Sequence, residues 1–317
     1  MHIFQTMLSS ILVLVIIALC GLLARHRGVI DKSLAAGLAR IVFDLGIPAM
    51  IFVNLATEQF ELKWLFGAGI MILVELSMIA LAWVLSRQLG LTTTQMGAVV
   101  LCAAFGTSAT LGYSVVSVVF PDNHDAMVEA VLISELGVGL LIFTLGPILA
   151  MYFVSGKFSF QSAGKSLLAF TRTPICISLV ISLLWAWFDL PGDQYPLMKP
   201  LFHAGHILAN LVVPVSVLII SLNLQRPRFS QYVKPFGVVV FLKLLLAPLL
   251  AGSIALIIGL PEFWRDDLII MAGMPPAVLN VILLQRYGGD TSTLSTLIAG
   301  SSLLSLGTVL LVIMILG

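Results

Sequence analysis

"MAGMPPAVLN", residues 271–280, sets two adjacent prolines inside an apolar run, Asp267 to Gln285, long enough to cross a bilayer. A proline lacks the backbone donor and clashes with the preceding turn, at about 3 kcal/mol inside a helix. Hydrocarbon offers no water to the freed groups, so a break at that depth must be buried in protein or line a cavity. Two readings are open. The pair is either a kink satisfied by neighbouring helices, or an unwound segment that faces a polar solute.

The rest of the chain narrows the choice. Of 317 residues, 60% are hydrophobic and 10% charged, and the mean hydropathy is +1.12. Soluble domains carry about 25% charged residues, so this is an integral membrane protein. A net charge of +1 argues against a nucleic-acid partner. Cys20, Cys102 and Cys176 lie in apolar runs without CxxC spacing and read as small core residues. His203 and His206 have an HxxH spacing but no nearby third ligand, so they read as surface histidines and no metal site is expected. Neither GxSxG nor HExxH occurs, and no aspartates cluster within the apolar runs, so the chain is not expected to be an enzyme. The first apolar run has no basic region before it and no small-residue cleavage site after it. It reads as a retained helix.

Apolar runs recur at about 7–24, 34–56, 64–87, 96–120, 127–154, 166–188, 201–223, 234–259, 266–286 and 292–316, which predicts ten membrane spans. One set of loops carries Arg25, Arg27, Lys32, Arg87, Lys157, Lys165, Arg172, Arg226, Arg228, Lys234 and Arg286. The other carries Lys63, Lys199 and Arg265 among the acids Glu58, Glu61, Asp122, Asp125, Asp189, Asp193, Asp266 and Asp267. The positive-inside rule makes the first set cytoplasmic and places both termini outside, in the plasma (bacterial inner) membrane.

An offset of roughly 166–169 residues lays the first five runs on the last five. "LARIVFDLGIPAMIF" (38–52) falls on "LANLVVPVSVLII" (208–220), and "AAFGTSATLGYSVV" (103–116) falls near "MAGMPPAVLNVILL" (271–284). Five spans per copy force the copies into opposite orientations, giving an inverted 5+5 repeat, 1–155 and 156–317, of the kind secondary transporters use. The fourth and ninth spans are then each broken at mid-depth, and the repeat axis brings the breaks together. Half-helix ends there suit a carboxylate, because free N–H groups and the helix dipole point at it.

In the first break Gly106, Thr107, Ser108, Thr110, Gly112 and Tyr113 offer space and hydroxyls; in the second, Pro275 and Pro276 hold the helix open and Asn280 can donate and accept. Each hydroxyl has the plainer alternative of back-bonding within its helix. A charge at the bilayer centre costs about 2.5–3.5 kcal/mol or more, so intramembrane charges carry weight. Glu75 and Lys243 occupy repeat-related positions and are expected to pair in support of the breaks, unless Lys243 snorkels to the cytoplasmic side. Glu135 is a second carboxylate for proton handling or cation coordination. Arg40 and Asp44, one turn apart, are expected to form an intrahelical pair.

"LGIPAMIF" (45–52), "FLKLLLAP" (241–248) and "MAGMPPAVLNVILLQRYGGD" (271–290) together resemble the auxin efflux carrier family, over essentially the whole chain. That family contains plant auxin exporters and bacterial carriers of malonate, malate and similar acids. The resemblance implies a ten-helix fold akin to the bile-acid/sodium symporters. Spans one, two, six and seven would form a scaffold, and spans three to five and eight to ten a transport domain moving elevator-fashion. Members commonly carry proline in the first break, where this chain has Gly106. The expectation is a secondary carrier for a small organic mono- or dicarboxylate, with no cofactor and with H⁺ or Na⁺ left open as coupling ion. A homodimer through the scaffold helices is compatible with it. A sodium-coupled bile-acid-type symporter and a non-transporting sensor are the alternatives, the latter without an output domain in the sequence.

Overall fold

The computed structural model describes residues 16–17, 19–30, 34–57, 65–121, 123–156, 164, 168, 171–223, 229–286, 289 and 291–316. Both termini, most of the first apolar run, and Lys32, Glu58, Glu61, Lys63, Asp122, Lys157, Lys165, Arg226 and Arg228 lie outside the described residues.

Helices make up most of the described residues. In chain order the helices are α1 (Leu34–Ile41), α2 (Ile47–Leu55), α3 (Leu65–Gln88), α4 (Thr93–Ala104), α5 (Tyr113–Val119), α6 (His124–Leu132) and α7 (Leu140–Ser155). Then come α8 (Pro174–Trp187), α9 (Lys199–Ala209), α10 (Val212–Asn223), α11 (Phe229–Val239), α12 (Ala247–Ile258), α13 (Glu262–Ala272), α14 (Leu279–Arg286) and α15 (Thr291–Leu316). Among the described residues five helical stretches, Gly37–Leu55, Leu65–Gln88, His124–Ser155, Lys199–Ile219 and Tyr232–Ile258, are long and apolar enough to cross a membrane. The protein is a helical, multi-pass membrane protein.

Several helices widen into a π turn, and proline explains two of them. Pro48 and Pro248 each crowd the carbonyl four residues back and leave it without its donor. The chain widens just ahead of each, over Val42–Gly46 and Val240–Leu246, where Ile47 N–H reaches back to Val42 O and Ala247 N–H to Leu242 O. Two more π turns cover Ser108–Gly112 and Ile133–Gly139.

The chain forms two compact units. One gathers Met1–Trp64, Ala109–Val131 and Phe170–Leu224; the other gathers Leu65–Ser108, Leu132–Ala169 and Gln225–Gly317. In the first, α2 packs against α8 and α9. Phe52 stacks on Phe202 at 5.3 Å and meets Trp185 edge-on at 5.4 Å, and Ser178 Oγ donates to Pro48 O at 2.6 Å. Gly205 permits the approach of α9, since a Cβ there would lie 2.5 Å from Val53 Cγ1. In the second unit α3 packs on α4 and on Ile133–Gly139, α4 on α7, and α12 on α13. Trp83 stacks there on Tyr152 at 5.2 Å.

Two expectations are corrected. Arg40 and Asp44 are both exposed, and among the described residues no ion pair joins them. Asp44 lies inside the π turn Val42–Gly46, whose wider winding turns it away from the face of Arg40. Arg265, Asp266 and Asp267, expected on an acidic loop, lie inside α13 and are buried, because the helix already starts after Pro261.

Candidate functional site: two broken helices joined backbone to backbone

The fourth apolar stretch opens with a capping box. Thr92 Oγ1 accepts from Gln95 N–H at 3.3 Å, and Gln95 Oε1 accepts from Thr92 N–H at 3.2 Å. α4 is buried from Gly97 onward and stops at Ala104, where Phe105 turns extended at φ −94°, ψ 107°. The ninth stretch stops likewise. α13 ends at Ala272 and α14 starts at Leu279, with Gly273, Met274 and the two prolines between.

The two unwound segments pair. Thr107 N–H donates to Pro275 O at 2.8 Å and Ala277 N–H to Phe105 O at 2.9 Å, an antiparallel bridge centred on Gly106 and Pro276. Bonds flanking a residue pair mark the non-hydrogen-bonded position of an antiparallel ladder, so the backbone groups of Gly106 and Pro276 point away from each other. Proline suits 276 for that reason, because the bridge asks no donor of it. Gly106 lets Lys243 and the second segment approach closely. A Cβ would lie 3.0 Å from Lys243 Cε, 3.2 Å from Lys243 Nζ and 3.2 Å from Met274 O.

A helix end leaves carbonyls without intrahelical partners, and a buried end must find them elsewhere. At α4 Ala104 O finds its donor in a distant side chain, while Leu101 O, already bonded to Phe105 N–H at 3.0 Å, and Phe105 O, bonded to Ala277 N–H at 2.9 Å, each gain a second donor. Lys243 Nζ donates to Ala104 O at 2.8 Å, and Asn280 Nδ2 donates to Leu101 O at 3.1 Å and Phe105 O at 3.0 Å. The ammonium lies at the negative end of the helix dipole, where a cation is favoured. Lys243 also donates to Glu75 Oε1 at 3.1 Å, and both side chains are essentially without exposure. It does not snorkel. The π turn Val240–Leu246 carries Lys243 into this position.

The orientation of the Asn280 amide follows from its partners. Both are carbonyls, so only the NH₂ end can face them. Its Oδ1 is buried and unpartnered, as is Glu75 Oε2. Two of the three N–H groups of Lys243 are engaged. The hydrogen-bonding capacity left over on Asn280, Glu75 and Lys243 is therefore two acceptors and one charged donor. Beside it Ser108 Oγ and Ser134 Oγ lie 2.9 Å apart, and Ser134 Oγ donates to Glu135 Oε1 at 3.3 Å. Glu135 is 4% exposed, inside the π turn Ile133–Gly139.

Gly106, Thr107, Ser108, Pro275, Pro276, Asn280, Glu75, Glu135 and Lys243 thus all belong to one compact unit. Thr110, Gly112 and Tyr113 belong to the other. There Tyr113 is fully buried and Thr110 O accepts from Ser114 Oγ at 2.8 Å. Sequence reasoning missed Ser134, whose place beside Glu135 was the available signal, and Asp267, whose helical spacing from the apolar residues of α13 was another. Among the described residues no group of His, Cys, Asp and Glu could hold a metal ion.

A family model described as membrane transport protein matches residues 6–313. An uncharacterized transporter of Methanothermobacter thermautotrophicus is 26% identical over 314 residues, covering 96% of either chain. The uncharacterized transporter MJ1031 of Methanocaldococcus jannaschii is 23% identical over 298 residues, covering 91% of this chain and 92% of its own.

Proposed function

The chain belongs to the membrane transport protein family of auxin efflux carriers, and from that premise we propose that it is a secondary carrier for a small organic anion, a mono- or dicarboxylate. The observation that carries this reading is the joining of two broken helices over a buried ammonium with one N–H to spare. Broken helices hold polar backbone where a bilayer otherwise forbids it, and such a crossing is where carriers bind solute. Lys243 supplies the charge an anion needs, and the missing side chain of Gly106 leaves room for that ammonium. The Glu75 carboxylate offsets part of that charge and keeps the empty site from being an isolated buried cation.

The ten-span inverted repeat and elevator motion belong to the same proposal. Their support is the grouping of α3, α4, α7 and α11–α15 into one unit that holds the crossing. So do the inner-membrane location and the outward termini, supported by the loop charges.

Purified protein melted in the presence of malonate, malate and related acids tests the reading. A ligand at a hundred times its dissociation constant stabilises the folded state by about 2.7 kcal/mol. A stabilising acid should also enter proteoliposomes, and Lys243→Met should abolish both effects. If no small carboxylate shifts the melt or enters the vesicles, the anion reading fails.

A further inference from the structure

Asp267 has no part in the crossing. It lies in the second turn of α13, its side chain has 0% exposure, and neither carboxylate oxygen has a hydrogen-bond partner. The neighbouring acid is differently placed. Arg265 Nε donates to Asp266 Oδ1 at 3.0 Å, and Arg265 Nη2 lies 2.9 Å from that oxygen and 3.7 Å from Glu262 Oε1. Successive side chains on a helix diverge by about 100°, so the face that gives Asp266 its arginine gives Asp267 none.

Among the described residues, the main neighbours of α13 supply no free counter-charge. Its main neighbours are α12, α15, α3 and the π turn Ile133–Gly139. α12 and α15 contain no ionisable side chain. α3 contributes Glu75, already bound to Lys243, and Arg87 in its last turn; the π turn contributes Glu135. A carboxylate taken out of water without partner or counter-ion is among the costliest arrangements in a protein. Among the described residues no group of three His, Cys, Asp or Glu side chains gathers to hold a metal ion instead. A proton needs one oxygen.

We propose that Asp267 is a proton-binding site, and that H⁺ is the ion whose movement this carrier couples to its solute. The carboxylate takes the proton from water when α13 is exposed to one side and surrenders it to water on the other; no further reactant is involved. The binding half of the proposal stands on the burial of Asp267 alone, whereas the coupling half rests on the carrier reading above.

The first test contains no substrate. Wild type labelled with ¹³C-aspartate in detergent at neutral pH should show the carbonyl stretch of a protonated carboxylic acid by infrared spectroscopy. That band should shift with the label, vanish in Asp267→Asn and persist in Asp266→Asn. The Asn variant copies the protonated shape. In the unfolded chain aspartate releases its proton near pH 4, so a proton retained by the folded state makes wild-type stability fall as pH rises above that. The melting temperature of Asp267→Asn should gain on wild type by at least ~3 °C between about pH 5 and pH 8. No label-sensitive acid band in wild type, with a flat difference in melting temperature, overturns the site. In the second test, labelled malonate is offered to proteoliposomes under an imposed pH gradient. Asp267→Asn should exchange malonate across the membrane but lose gradient-driven accumulation. Accumulation equal to wild type overturns the coupling. The infrared result is independent of malonate, so a carrier that proves not to move that acid leaves the proton site intact.

Discussion

At Lys243 a single ammonium group does three jobs: it caps α4 through Ala104 O, it neutralises Glu75, and it fills the space that Gly106 leaves. Lys243→Met removes the first two at once and strands a buried carboxylate, so it should cost about 3–5 kcal/mol of stability. Adding Glu75→Gln should recover a large part of that loss without recovering transport. Thermal melts of both single variants and the double decide the matter. Additive losses would mean that the two groups do not depend on each other. Asn280 provides a sharper check of geometry. Asn280→Ala should cost about 1–3 kcal/mol by leaving the Leu101 and Phe105 carbonyls without this donor. Asn280→Asp should be worse than alanine, because it turns oxygen toward oxygen. An aspartate variant that melts above the alanine variant would contradict the amide orientation.

Among the elements, the bridge at Gly106 and Pro276 separates two substitutions that look alike on paper. Thr107→Pro removes the donor to Pro275 O, whereas Pro276→Ala leaves both bridge bonds in place. The first should destabilise by roughly 3 kcal/mol and speed hydrogen exchange at the Ala277 amide. The second should do less of both; equal exchange in the two variants would mean that the bridge does not hold the crossing. The location of this crossing was legible in the sequence because a proline pair and a Gly/Ser/Thr-rich run stood at matching offsets in apolar stretches. The meeting of Glu75 with Lys243 was legible for the same reason, the two being 168 residues apart. The role of Asn280 was not. Both its amide hydrogens serve backbone carbonyls at the end of α4, and only the path of an unwound chain reveals which carbonyls those are. The missing Arg40–Asp44 pair has the same origin, since a π turn alters side-chain register without altering the hydrophobic pattern. The helical setting of Asp267 is hidden in the sequence, because a carboxylate near a helix start reads as a loop acid until the start itself is known.

For the whole molecule, the loop charges make a prediction about sidedness. With Cys20, Cys102 and Cys176 replaced, cysteines introduced at positions 2 and 316 should react with an impermeant reagent in intact cells. Reaction only after permeabilisation would reverse the topology. The caps on α4 also bear on how the chain is made. The carbonyls at its end wait for Lys243 and Asn280, which follow Ala104 and Phe105 by 139 and 175 residues. At a synthesis rate of about 5–20 residues per second, the delay is on the order of ten to thirty seconds. Throughout that interval the first broken helix lies in or beside the bilayer with its terminal acceptors bare. A nascent chain stalled before residue 280 therefore has a defect that no local refolding repairs. Ribosome-arrested fragments ending between about 155 and 275 should be cleared by membrane proteases, while those that have released Asn280 should survive.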